Sequence, residues 1–197
     1  MRPYPGLAFA TIICLGLSGT IAAAQPSTEA FDIGQLMARF SAIKNSTARF
    51  NERKYLRMLK TPLEDSGVLV YAAPDKLQKN TLLPKPESLV IEGDSLTIDR
   101  EGKTQTLKLA DYPQIAGLIE GIRATLAGDL PGLQRFYSLY LEGDANAWRL
   151  LLKPRDPKMQ DIVQSIFISG TGGHIKSIDT LESDGDHSEM TITEDSP

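Results

Sequence analysis

The chain has 197 residues, with 21 Lys and Arg against 25 Asp and Glu, a formal net charge of −4 and a single cysteine. The acidic balance, with no basic run long enough to track phosphates, excludes general nucleic-acid binding, and one cysteine excludes a disulfide-built scaffold. A hydrophobic core must hold the fold, and a chain of this size buries roughly 70% of its unfolded surface as one domain.

Arg2 is followed by an apolar run from Leu7 to Leu17 and then by Ala22-Ala23-Ala24 before Gln25. These are the three parts of a secretory signal peptide, and the run is too short to span a membrane as a helix. Ala22 and Ala24 supply the small residues of an Ala-x-Ala site, which places the cut after Ala24. A lipoprotein signal would need its cysteine after small residues at the end of the run, whereas Cys14 follows Ile12 and Ile13 in its middle. Residues 1–24 are thus read as a cleaved signal and residues 25–197 as a single exported domain without cysteine.

Gln25 to Ala30 is a polar leader. Asp32 and Gln35 form a capping box for a helix that continues to about Lys44, with Ile33, Leu36, Met37, Phe40 and Ile43 on one stripe. Such a stripe suits either a helix docked on its own core or a lid over a ligand cavity. From Thr47 to Leu59 the period changes to two, with Ala48, Phe50, Glu52 and Lys54 opposite Thr47, Arg49, Asn51 and Arg53. This pattern predicts a long half-exposed antiparallel strand. A turn over Lys60 to Asp65 leads into Ser66 to Lys79, which reads as a strand, a Pro74 corner and the start of a second strand. Val68, Leu69, Val70 and Tyr71 carry few polar interruptions and predict a strand covered on both faces. Leu77 to Leu83 continues extended until Pro84 and Pro86. Leu89 to Ile91 and Leu96 to Ile98 form a hairpin over Glu92-Gly-Asp-Ser95, and Thr104 to Leu109 alternates again.

Ile115, Leu118, Ile119, Ile122 and Leu126 then recur at helical spacing, with Gly128 placed to end the helix. Gly117 and Gly121 lie within it, each costing about 1 kcal/mol against alanine. They mark either a marginally stable, mobile element or a place where another backbone packs close. Asp129 can cap one more helical segment over Leu130 to Arg135, with Pro131 in its first turn. Strands resume at Phe136 to Leu141 and Ala147 to Lys153, a hairpin that carries Trp148. Asp156 and Pro157 start a short helix through Val163. Gln164 to Ser169, a Gly170-Thr-Gly-Gly173 turn, His174 to Leu181, a Ser183 to His187 turn and Met190 to Thr193 close the chain.

The inventory for catalysis is thin. His187 sits among Asp184, Asp186 and Glu189, which can be sketched as a metal site, but the set lies in a Gly-containing hairpin turn where Asp and Gly serve backbone geometry. His174 has no acid within four residues. No serine sits in a nucleophile elbow, and the Gly170 to Gly173 turn lacks the Lys and following helix of a phosphate loop. The fold class is therefore α+β, with a meander of roughly ten or eleven antiparallel strands that must curl to bury its face. Two or three striped helices laid over the concave side would enclose an apolar space, filled either by side chains or by a ligand.

The ordered series of features resembles the periplasmic outer-membrane lipoprotein carriers, the LolA-like proteins, over nearly all of the mature chain. It runs from the first helix through Phe50-Asn-Glu52, where the family has Phe-x-Gln, and Gly67-Val-Leu-Val-Tyr-Ala-Ala-Pro74, where a Gly-x-Leu strand ends in Arg-Pro. Ile91-Glu-Gly93 with Leu96-Thr-Ile98 is similar to the family's Ser-Asp-Gly hairpin, Leu151-Leu-Lys-Pro154 to its Leu-x-Pro step, and Asp184 to Ile192 to its closing hairpin. The resemblance implies an incomplete antiparallel β-barrel with helices as a lid, an apolar cavity for acyl chains, no cofactor, no metal and no catalysis. Leu36 and Phe40 on the first helix and Leu118 and Ile122 on the second are expected to line that cavity, together with Leu69, Tyr71 and Leu77, the strand positions given by matching Leu69 and Leu77 to the family. It further implies a periplasmic monomer whose partners are an acylated lipoprotein or other lipid, an inner-membrane exporter and an outer-membrane acceptor.

The departures define a divergent branch. The family's Arg before the strand-ending Pro, implied to latch the lid to helix backbone, is here Ala73, which removes five N–H donors. His187 stands where the last hairpin usually has Arg. Two other readings compete with the carrier: a non-catalytic adaptor or structural subunit of an envelope lipid export system, with the cavity filled by its own side chains, and a hydrolase or metal enzyme using His187.

Overall fold

Alternation with period two recurs through most of the chain, and in the computed structural model, which describes residues 31–194, it is realised as one sheet of 11 antiparallel strands. The signal peptide and its cut after Ala24 lie outside the described residues. Helix α1 (Ile33–Ala42) is followed by β1 (Asn45–Tyr55), β2 (Leu63–Ala72), β3 (Lys76–Leu83), β4 (Glu87–Glu92), β5 (Ser95–Arg100) and β6 (Lys103–Lys108). A 3-10 turn at Leu109–Asp111 leads to α2 (Pro113–Ala127) and α3 (Leu130–Phe136). The chain continues as β7 (Tyr137–Asp144), β8 (Ala147–Pro154), the single turn α4 (Pro157–Gln160), β9 (Val163–Thr171), β10 (His174–Glu182) and β11 (His187–Glu194).

The strand order is β6-β5-β4-β3-β2-β1-β11-β10-β9-β8-β7, so the first and last strands pair at the centre and β6 and β7 form the two unpaired edges. The barrel is open. The segment that joins those edges carries α2 and α3.

Capping explains where the helices begin and end. Asp32 Oδ1 accepts from the Gln35 N–H at 2.8 Å, Asp129 Oδ1 from Gly132 at 2.9 Å, and Asp156 Oδ1 from Lys158 at 2.7 Å, each satisfying an orphan first-turn donor. Gly128 ends α2 in the left-handed region with φ 69°, where a side chain would be strained.

Several boundaries differ from the sequence reading. β1 stops at Tyr55 rather than Leu59, because Leu56 to Leu59 closes a turn through the Leu59 N–H to Leu56 carbonyl bond of 2.8 Å. The strand through Leu69 and Tyr71 is not covered on both faces. It belongs to a single sheet with one covered side, so Val68, Leu69 and Val70 are only half-buried while Tyr71 is buried. The helix after Asp156 ends at Gln160, and the last strand begins earlier, at His187.

One half of the concave face is filled. Leu36, Met37 and Phe40 of α1, Ala124 of α2 and Leu133 of α3 pack with Tyr137, Trp148, Leu150, Leu152, Met159 and Ile168. Phe40 meets Trp148 edge-on at 5.7 Å, and the indole Nε1 donates to the Gly172 carbonyl at 3.0 Å.

Candidate functional site

The other half of the concave face is open inside. A cavity of about 440 Å³ lies between the helices and the inward rows of the sheet. Register places its walls: Tyr71 of β2 pairs with Leu77 of β3, Leu77 with Ile91 of β4, and Ile91 with Leu96 of β5, which aligns four apolar side chains across neighbouring strands. The next inward row runs Ala48, Leu69, Lys79 and Leu89. Ile178, Met190 and Ile192 close the side towards β10 and β11, while Phe40 from α1, Ile43 at its C-terminal cap and Ile119, Ile122 and Leu126 from α2 form the roof.

Of the residues that the sequence nominated, Phe40, Leu69, Tyr71, Leu77 and Ile122 stand on the cavity wall. Leu36 and Leu118 do not line it. Leu36 is fully buried in the filled core and Leu118 packs against that core. The helices straddle the boundary between the filled and open halves, so one apolar stripe serves both. Ile119, Leu89, Ile91 and Leu96 were missed as wall residues, although the alternation of the hairpin from Leu89 to Ile98 was the signal that could have found the last three.

Ala73 is exposed on the rim, where its N–H donates to the Lys44 carbonyl at 2.8 Å. The tether between rim and roof comes from the opposite side. Arg123 of α2 sends Nη2 to the Gly93 carbonyl in the β4–β5 turn at 2.5 Å and Nη1 to Glu120 Oε1 at 2.6 Å. Asp75, next to the Pro74 corner, accepts from the Gly93 N–H at 3.2 Å, so corner, hairpin and roof are linked. Arg123 Nε and the Tyr137 hydroxyl are the buried side-chain polar atoms without a hydrogen-bond partner among the described residues. Burial pushes the Tyr137 phenol up to about 12.

A charged group interrupts the apolar wall. Glu52, only 6% exposed, accepts from Lys79 at 2.5 Å and lies 3.5 Å from Lys54, and Lys54 also bonds Asp65 at 2.6 Å. Burial alone would lower the Lys54 ammonium, but the Asp65 hydrogen bond and the charges of Glu52 and Asp65 outweigh it and hold it above its ordinary value. Lys79 Nζ stands 4.9 Å from the Phe50 ring centroid.

The groups around His187 serve the last turn. Asp186 Oδ1 accepts from the Arg57 N–H at 2.8 Å, Asp184 Oδ1 accepts from the Asp186 N–H at 3.0 Å, and the His187 ring stacks on Tyr55 at 4.5 Å. Burial, then Asp184 and Asp186, raise the nearby Glu182 carboxyl, with Lys54 opposing.

Fold and cavity together define a class: an incomplete antiparallel β-barrel with a helical roof over an apolar chamber. The family model described as outer membrane lipoprotein carrier protein LolA-like matches residues 23–194. The chain belongs to that LolA-like family. Solved structures of similar fold include a LolA superfamily protein from Nitrosomonas europaea, 9% identical, covering 82% of this chain and 93% of its own, with a TM-score of 0.44. LprF from Mycobacterium bovis is 11% identical over 84% and 93% of the two chains with a TM-score of 0.38. The lipoprotein LppX from Mycobacterium tuberculosis is 10% identical over 82% and 96% with a TM-score of 0.36. Among curated proteins no sequence match is found.

Proposed function

We propose that the protein is a non-catalytic carrier of acylated cargo. Residues 1–24 direct export, and the domain from Gln25 to Pro197 works in the periplasm. It takes a lipoprotein or other exported lipid from an inner-membrane donor, shields its acyl chains and passes them towards an outer-membrane acceptor. The observation that carries this reading is the cavity of about 440 Å³, roofed by α1 and α2 and walled by aliphatic side chains from five neighbouring strands and more.

The energetics suit a carrier. Each methylene withdrawn from water contributes about 0.8 kcal/mol, so covering a fraction of one acyl chain suffices for binding. The roof is joined to the β4–β5 rim through Arg123, a contact that can open without unfolding the sheet. Membership of the LolA-like family supports the same assignment.

The test is purification from the native periplasm without detergent, followed by native mass spectrometry and a titration with Nile red. Co-purifying lipid and a fluorescence rise that added lipid reverses are expected. Protein that carries no lipid and does not take up the dye would refute the carrier.

A further inference from the structure

The row Leu69, Lys79, Leu89 sets an ammonium between two leucines on the inner wall. An ion pair here costs desolvation that an aliphatic residue would avoid, so its placement calls for a polar partner within the chamber. Glu52 is the deeper member, with its side chain 8% exposed against 23% for Lys79. Glu52 also lies beside Lys54, which Asp65 binds in turn, so the four charges balance and Glu52 is the carboxylate that Lys79 meets. Lys79 gives one N–H to Glu52 and sets its charge over the Phe50 ring, so of its three donors others remain for a ligand.

A second carboxylate lines the chamber on β11, where Glu194 is bonded to His174 at 2.5 Å. Glu194 pairs with Ala48, and Ala48 and Leu69 separate it from Lys79 in the same cross-strand row.

We propose that Lys79 is a head-group subsite. It receives the anionic group, carboxylate or phosphate, of a single-chain amphiphile whose tail lies along the apolar wall beneath the roof. The subsite rests on the carrier reading above and specifies the cargo class for that same cavity.

The experiment is displacement of Nile red from the purified protein by dodecanoic acid, dodecyl phosphate and dodecanol, at a pH where both acids are ionised. The acid, the phosphate or both displace the dye at about tenfold lower concentration than the alcohol, and which of them does so identifies the head group. Lys79→Met loses that advantage, so that acid, phosphate and alcohol displace the dye alike in this variant, while Glu52 keeps Lys54 as its partner. Lys79→Arg retains the advantage, which separates a charge effect from a disturbed fold. Equal displacement by acid, phosphate and alcohol in the parent protein, or an undiminished preference in Lys79→Met, overturns the subsite and leaves the carrier standing. Failure of the dye and of all three compounds to bind refutes the carrier itself.

Discussion

The two glycines of α2 have the same helical setting and different neighbours, which makes them a matched pair for testing how the roof is seated. An alanine at either site gains about 1 kcal/mol of helix propensity. At Gly121 the new methyl would overlap the Tyr137 ring, lying 2.9 Å from Cζ and 3.0 Å from the hydroxyl. Tyr137 is 1% exposed and packed in the core cluster, so the overlap falls at the upper end of overpacking costs, about 3 kcal/mol. Gly121→Ala should therefore lose about 2 kcal/mol net. At Gly117 the closest atom is Met159 Sδ at 2.7 Å, on a side chain with three rotatable bonds. The overlap there costs about 1 kcal/mol, and Gly117→Ala should be close to neutral. Urea unfolding at 25 °C measures both, with the midpoint shifting at constant slope. Equal effects of the two substitutions, or a more stable Gly121→Ala, would refute the claim that the Tyr137 contact seats this helix.

Arg123→Met removes the bond to the Gly93 carbonyl, a charged hydrogen bond of about 1.5–3 kcal/mol, and should speed Nile red release in stopped flow by about tenfold or more. Unchanged release from a folded variant would show that this contact does not hold the roof. Tyr137→Phe deletes a buried hydroxyl without a partner and should stabilise the protein by about 1 kcal/mol in the same urea assay; a loss would show that the hydroxyl is satisfied. Asp179, half-buried on β10, has a carboxyl raised above its ordinary value of 3.8 by partial burial and then by the neighbouring Glu189, with Arg149 opposing. A folded value above the unfolded one means that its stabilising contribution is full below 3.8 and is lost as pH rises through the folded value. Asp179→Asn should therefore raise the melting temperature at neutral pH and lose that advantage below 3.8, and a gain that persists at acid pH would contradict the assignment.

The sheet was legible because alternation and turn chemistry are local. Phe50 and Glu52 could be put on one side of a strand, and Gly128 at a helix end, from neighbours alone. The division of the concave face was not legible, since Leu36 and Phe40 have the same helical phase and differ only in what the sheet offers opposite them. The glycines of α2 suit, from sequence alone, a mobile element or a close approach of backbone; the close approach is real, but it is made by the side chains of Tyr137 and Met159. The role of Arg123 is invisible in the sequence because its partner is a backbone carbonyl 30 residues away, a contact that leaves no local pattern. Glu52 was noted as a departure from a family motif, and only the fold reveals that Lys79 and Lys54 converge on it.

The open chamber follows from the strand order. Because β6 and β7 are the two edges, the segment that connects them has to travel from one side of the sheet to the other, and the helices it carries settle over the concave face. On the β7 to β10 side, Trp148, Leu150, Leu152 and Ile168 meet α1 and α3 and fill the space. On the other side the six strands β1 to β6 span about 24 Å at ordinary spacing, while a helix is about 10–12 Å across. A roof formed by the side chains of α2 and the end of α1 covers that width without reaching its floor, and small Ala48 does not rise to meet it. An apolar gap of this kind forfeits packing between roof and floor. An occupant restores it, so binding should raise the melting temperature with the logarithm of its free concentration.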